Sequence, residues 1–227
     1  MKNFLITLGG ILIFIAMVIG GFYFLRNFNK HASVILTSPC DPPCWYGIKP
    51  GQSNSWEVYE SLYQLEGLNI ESVHGEYDQN ERLVSYYWFF QRPIEDSSGS
   101  IHFENDRVTS IEILTVNSLT LANLFEKLGE PEVYWKELGY GEEREYLDVI
   151  LFYPTKGYLA EVILETKYGV DQVEIRESAP VFRVVYFDPE MYEELLDTKI
   201  LINKATIART GSFQPWLGYG AITFGRE

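Results

Sequence analysis

Residues Asn117–Pro131 read NSLTLANLFEKLGEP, and the β-prone run EVYWKEL follows at once over 132–138. Leu119, Leu121, Leu124, Phe125 and Leu128 share one side of a short helix at this spacing. Asn117 or Ser118 offers the N-terminal cap, and Gly129-Glu130-Pro131 ends the helix sharply. Strand-like runs follow at 133–138 and 147–153, then a Pro-Thr-Lys-Gly turn, then 158–165, with 170–176 and 181–187 as further strands.

The same order stands upstream. Ser53 or Ser55 can cap a helix that has Glu57 in its first turn and ends at Gly67. Trp56, Val58, Tyr59, Leu62, Tyr63 and Leu65 form its apolar stripe. LVSYYWFF at 83–90 is strongly β-prone, and 100–103 leads through a turn at Asn105-Asp106 into 108–116. Two helix-then-meander units in tandem predict an α+β body with antiparallel strands, each sheet burying one face under its helix. One continuous larger sheet is the alternative, because the loops near 94–99 and 139–145 permit either. A third helix is expected from Asp188, whose carboxylate caps while Pro189 takes the first helical position, to about Asp197. The chain divides into a signal anchor at 1–30, a linker and collar at 31–50, units at 51–116 and 117–209, and a tail at 210–227. The prolines at 39, 42, 43 and 50 keep the collar extended, so the folded body is expected from near Trp45. The tail lacks periodicity and is read as irregular, packed in part through Phe213, Trp216, Tyr219 and Phe224.

From Phe4 to Leu25 no residue is charged, and 22 residues of helix span about 33 Å, enough for a bilayer core of about 30 Å. No small-residue cleavage site follows, and the first cysteine lies too far downstream for lipidation, so retention as a single-pass anchor is expected. Lys2 on one side and Arg26 and Lys30 on the other hardly set the orientation by charge. Cys40 and Cys44, the chain's two cysteines, point to pairing with each other in an oxidising compartment. Unlinked thiols, or a bond to another chain, are the alternatives. The expected arrangement is N-terminus in the cytoplasm and body outside it.

Setting aside Lys2, Arg26 and Lys30 leaves 15 basic residues against 32 acidic ones, a formal charge of −17. Such a surface repels nucleic acid and anionic headgroups, so neither is an expected partner. An aromatic content of 15% argues against a disordered stalk.

Motifs for chemistry are sparse. His31, His74 and His102 lack zinc-ligand spacing, and His102 is expected to face solvent from a strand. No nucleophile elbow, phosphate loop or dinucleotide fingerprint occurs. Glu142, Glu143 and Glu145, or Glu193 and Glu194, are imaginable acid–base pairs or calcium ligands, but solvated acids are the default in so acidic a chain. No catalytic residue, cofactor or metal is assigned. In 86–90 alternate rings turn inward, and the others, Tyr87 and Phe89, are expected at an interaction surface, together with Trp216 and Tyr219 of the tail.

Gly47-Ile48-x-Pro50-Gly51-x-Ser53 before a helix with Glu57-Val58, and the later helix ending Leu-Gly-Glu-Pro, resemble two known patterns. They are similar to the helix-plus-sheet lipoproteins of outer-membrane assembly (SmpA/OmlA) and to the tandem fold of β-lactamase inhibitory proteins. Here Ser53 stands for their Thr, and the first helix ends Leu-Glu-Gly without the Pro. Cys-x-x-Pro-Cys-Trp-x-Gly-Ile-x-Pro-Gly also resembles uncharacterised membrane-anchored envelope proteins. The resemblance implies a non-catalytic protein-binding scaffold and carries no functional residues over. The expectation is a membrane-anchored extracytoplasmic interaction module with an envelope protein as partner. A carbohydrate binder or glycan hydrolase, using facing carboxylates beside aromatic platforms, is the alternative.

Overall fold

The alternation of residues 83–90 becomes a strand whose even-numbered rings enter the core and whose odd-numbered rings leave it. The computed structural model describes residues 33–91, 96–115, 118–140, 144–192 and 213–224. The apolar stretch 4–25 lies outside these, and among the described residues no helix is long and apolar enough to cross a membrane. Among the described residues helices α1 (Val34–Thr37), α2 (Ser55–Gln64) and α3 (Leu121–Leu128) accompany eleven strands. These are β1 (His74–Tyr77), β2 (Leu83–Phe89), β3 (Ser98–Glu104), β4 (Arg107–Leu114), β5 (Val133–Tyr140) and β6 (Glu145–Tyr153). The chain continues through β7 (Tyr158–Thr166), β8 (Gln172–Ile175), β9 (Arg183–Phe187), β10 (Gln214–Pro215) and β11 (Gly220–Thr223).

The body is α+β, and the two helix-then-meander segments share one nine-stranded sheet, ordered β1-β2-β3-β4-β9-β7-β6-β5-β10. Both meanders run antiparallel, and β9 closes the seam by pairing with β4 on one side and β7 on the other. Asn105 and Asp106 take left-handed backbone at the β3–β4 turn, as a two-residue hairpin requires.

One face of this sheet meets the helices. Val58 and Leu62 of α2 and Leu121, Leu124 and Leu128 of α3 bury into a core with Trp88, Ile101, Ile111, Val184, Tyr186, Ala160 and Val149. The opposite face carries a smaller apolar cluster of Trp135, Ile150, Phe152, Leu159, Val185 and Phe187, with Tyr192 and Phe213 against it.

Several expectations shift. The first helix is capped by Asn54, not Ser53 or Ser55, through a capping box with Glu57. Its apolar stripe narrows to Val58, Leu62 and Leu65, because Trp56, Tyr59 and Tyr63 face outward. The second helix is capped by Thr120 rather than Ser118, and Asn117 lies outside the described residues. The helix expected from Asp188 opens as a short 3-10 turn over Pro189–Met191 with Asp188 as its cap, and 193–197 lie outside the described residues. The tail is not irregular throughout: β10 extends the large sheet beside β5, and β11 forms a separate ribbon with β8.

The packed body also begins earlier than Trp45. Val34 and Ile35 are core residues, and Asp96 takes a 2.6 Å hydrogen bond from the Val34 backbone N–H and others from the Ser33 and Ser118 hydroxyls. The collar is thereby sewn to the body. Cys40 and Cys44 are disulfide-bonded, their Cα atoms 5.7 Å apart. Trp45, hydrogen-bonded reciprocally to Ile48, stacks on Trp88 at 5.8 Å. Gly51 adopts φ +77°, and a Cβ there would lie 2.0 Å from the Asp188 carboxylate, which accounts for the glycine in Pro50-Gly51.

Candidate functional site

Register in the first meander decides which side chains reach the open face. Tyr87 sits opposite His74 on β1 and Ser100 on β3, and Phe89 opposite Ser98. Tyr87 and Phe89 are 38% and 59% exposed, whereas Trp88 between them is fully buried. Trp88 fits only because position 99 is glycine, since a Cβ there would come within 2.2 Å of its indole. A hollow of about 140 Å³ runs along this patch, lined by Tyr87, Phe89, Ser98, Ser100, Glu112 and Leu114. His102 is half-buried beside it, edge-on to Tyr87, with its Nε2 3.4 Å from the Ser100 hydroxyl. This corrects the expectation of a solvent-facing residue. Burial lowers the His102 pKa below the usual imidazole range, outweighing the pull of Glu112 and Glu76 in the other direction.

Trp216 and Tyr219 do not join Tyr87 and Phe89. They lie toward the far side of the sheet, half-buried against Phe125 of α3 at 5.6 and 5.5 Å. β10, one residue before Trp216, is the ninth strand in the order, while β2 is the second. The tail rings finish the core under α3 instead of extending the exposed patch.

A line of charge crosses the open face from β4 to β6. Arg183 on β9 bonds Glu161 on β7 and approaches Glu112 on β4 at 3.3 Å. Asp148 on β6 lies next along the line, and among the described residues its Oδ1 finds no hydrogen-bond partner. Burial, reinforced by the neighbouring Glu161 carboxylate, pushes the Asp148 pKa up to about 8, so it holds its proton at neutral pH. Sequence reasoning missed this cluster. The available signal was a charged residue set inside an apolar run, as in YLAEVIL and LDVILF. Of these groups Glu112 edges the hollow beside Tyr87, whereas Arg183, Glu161 and Asp148 do not line it. Of the acids singled out from sequence, Glu145 is buried in β6, while Glu142, Glu143, Glu193 and Glu194 lie outside the described residues.

A second hollow, about 670 Å³, opens on the helix side of the sheet beyond the first residue of α2. Leu83, Val84, Tyr86 and Phe103 form its floor and Tyr77 one wall, with Asp78, Glu81, Glu104 and Asp106 also lining it. It too went unread in the sequence, because its lining comes from two hairpin ends and a helix start. Among the described residues no group of three or more His, Cys, Asp or Glu side chains is placed to hold a metal ion.

No family model matches the chain, and no curated protein matches it. Among solved structures, the chain is similar to a DUF4309 family protein (YjgB) from Bacillus subtilis, at 11% identity and a TM-score of 0.28, over 65% of this chain and 88% of that one.

Proposed function

We propose that the protein is a membrane-tethered, extracytoplasmic, non-catalytic interaction module that engages an envelope protein through the open sheet face around Tyr87 and Phe89. The observation that carries this reading is the pair of exposed rings standing on a rigid strand, beside a hollow edged with Ser98, Ser100 and Glu112. Exposed aromatic area on a regular element, rimmed by polar groups, is typical of interaction sites. The tether is supported by the uncharged stretch 4–25. Seven residues, 26–32, separate it from buried Ser33, a reach of at most about 25 Å. The body is therefore held close to the bilayer. The Cys40–Cys44 bond supports an oxidising compartment.

A photo-crosslinking amino acid at position 89 of the full chain, activated in intact cells, should give one discrete adduct that Tyr87→Ser abolishes. The same adducts from position 140, an exposed tyrosine elsewhere, would overturn the reading. Topology has its own test. Cys44→Ser frees the Cys40 thiol, and a membrane-impermeant maleimide should label it in intact cells; labelling only after lysis would place the body inside.

A further inference from the structure

The helix-side face of the sheet is not covered to its end. α2 begins at Ser55, on the wall of the larger hollow, so among the described residues no helix lies above the outer part of β1 and β2. What lies there is an apolar floor under an acidic rim. Tyr86 and Phe103 meet edge-on at 5.5 Å, with Leu83 and Val84 beside them and Tyr77 standing 63% exposed as the wall. Four carboxylates and a single guanidinium line the hollow. That guanidinium is already engaged: Arg82 Nε and Nη2 lie 2.8 and 2.7 Å from Asp78. The Arg82 backbone N–H, and then its side chain, hold Asp78 down at about 2. Asp106 receives the Ser55 backbone N–H at 3.2 Å, and Glu81 and Glu104 face solvent.

We propose that this hollow binds an extended basic segment of a protein partner, with a Lys or Arg side chain entering it. The proposal rests on the interaction-module reading but uses the opposite face of the sheet. Three features select this occupant. A volume of about 670 Å³ falls within the usual range for ligand sites, about 300–1,000 Å³. A long basic side chain lays its aliphatic stem on an apolar floor while its head meets carboxylates and ring faces, which matches floor, rim and wall in turn. The hollow also adjoins β1, the outermost strand, whose four residues are all exposed. A peptide strand added along that edge places alternate side chains on the side of Gly75 and Tyr77, over the hollow.

The test uses the full chain in nanodiscs with the capped peptide acetyl-Thr-Lys-Val-Arg-Thr-amide, its Glu-for-Lys and Glu-for-Arg analogue, and free 1,5-diaminopentane. The basic peptide should bind and slow amide exchange in residues 74–77. Its affinity should fall about tenfold in the Glu81→Gln/Glu104→Gln variant and in about 0.5 M salt. Both substitutions are at exposed sites that leave the core untouched. Equal binding of the acidic analogue, unchanged affinity in the variant, unchanged exchange in 74–77, or a diamine that binds as tightly as the peptide would each overturn the proposal. Loss of the position-89 adduct with peptide binding retained defeats the sheet-face reading alone, and the converse defeats this one alone.

Discussion

The two helix-then-meander segments start from the same order of elements and finish differently. α3 turns Leu121, Leu124 and Leu128 inward, and the tail closes over its flank through Phe125, Trp216 and Tyr219. α2 buries Val58 and Leu62 but turns Trp56 and Tyr63 out, 66% and 68% exposed, and leaves the ends of β1 and β2 bare. The second segment is completed by the chain itself. Among the described residues the first is left with an exposed helix face, an exposed strand edge and a hollow. Four variants sharpen or break this contrast, each read by denaturant or thermal unfolding of the full chain in neutral detergent.

The largest effect is expected where the segments are tied together. Asp96, 2% exposed, accepts from Ser33 and Val34 of the collar and from Ser118 ahead of α3. Asp96→Ala strands those buried donors, and a loss of about 4 kcal/mol follows if each costs 1–2. A loss below about 1 kcal/mol would mean that collar and body are held by apolar packing alone.

Next comes Leu124→Ala. Leu124 is fully buried in α3, so removing its side chain should cost about 3 kcal/mol, the transfer of the lost atoms plus the cavity they leave. A cost under about 1 kcal/mol would show the second segment to be no better packed than the outer face of the first.

These two cases mark what the sequence discloses. The Leu121–Leu128 helix, the strands from 133 to 165 and the inward turn of Trp88 are legible because period and capping act within a few residues. Asp96 is not legible. Its partners are 62 and 22 residues away, and nothing local marks a loop aspartate as a buried tie. The same holds for Arg183, whose Glu112 and Glu161 partners meet it only after β9 inserts between β4 and β7. Tyr87 and Phe89 were legible as outward rings, but their separation from Trp216 and Tyr219 depends on strand order, which periodicity does not encode.

The open face of the second segment supplies a pH-dependent test. In the unfolded chain Asp148 titrates near its ordinary value, about 3.9, and in the folded one at about 8. The folded state therefore binds the extra proton across that window, and stability falls as pH rises from about 4 to about 8. Asn, a neutral mimic of the protonated acid, removes that dependence. Asp148→Asn should match the parent near pH 4 and exceed it by a margin that grows steadily up to about pH 8. A constant difference across the range would mean that Asp148 titrates alike in both states, and that the charge line from Glu112 ends at Glu161.

The smallest expected effect bears most directly on function. Trp56 and Tyr63 touch little: a stacked pair with Tyr59 at 6.3 Å holds Trp56, and both rings stand mostly in solvent. Replacing each with Ser should change stability by no more than about 0.5 kcal/mol, the usual range for surface sites. Large aromatic rings on a helix surface contribute little to the fold they decorate, while every apolar one adds to the tendency to associate. If the double variant loses more than about 1 kcal/mol, the α2 face is already covered within the full chain, and the contrast between a self-completed and an open segment fails. If stability holds, the outward rings of α2 do no work in holding the body together, and the contrast between a self-completed and an open segment stands.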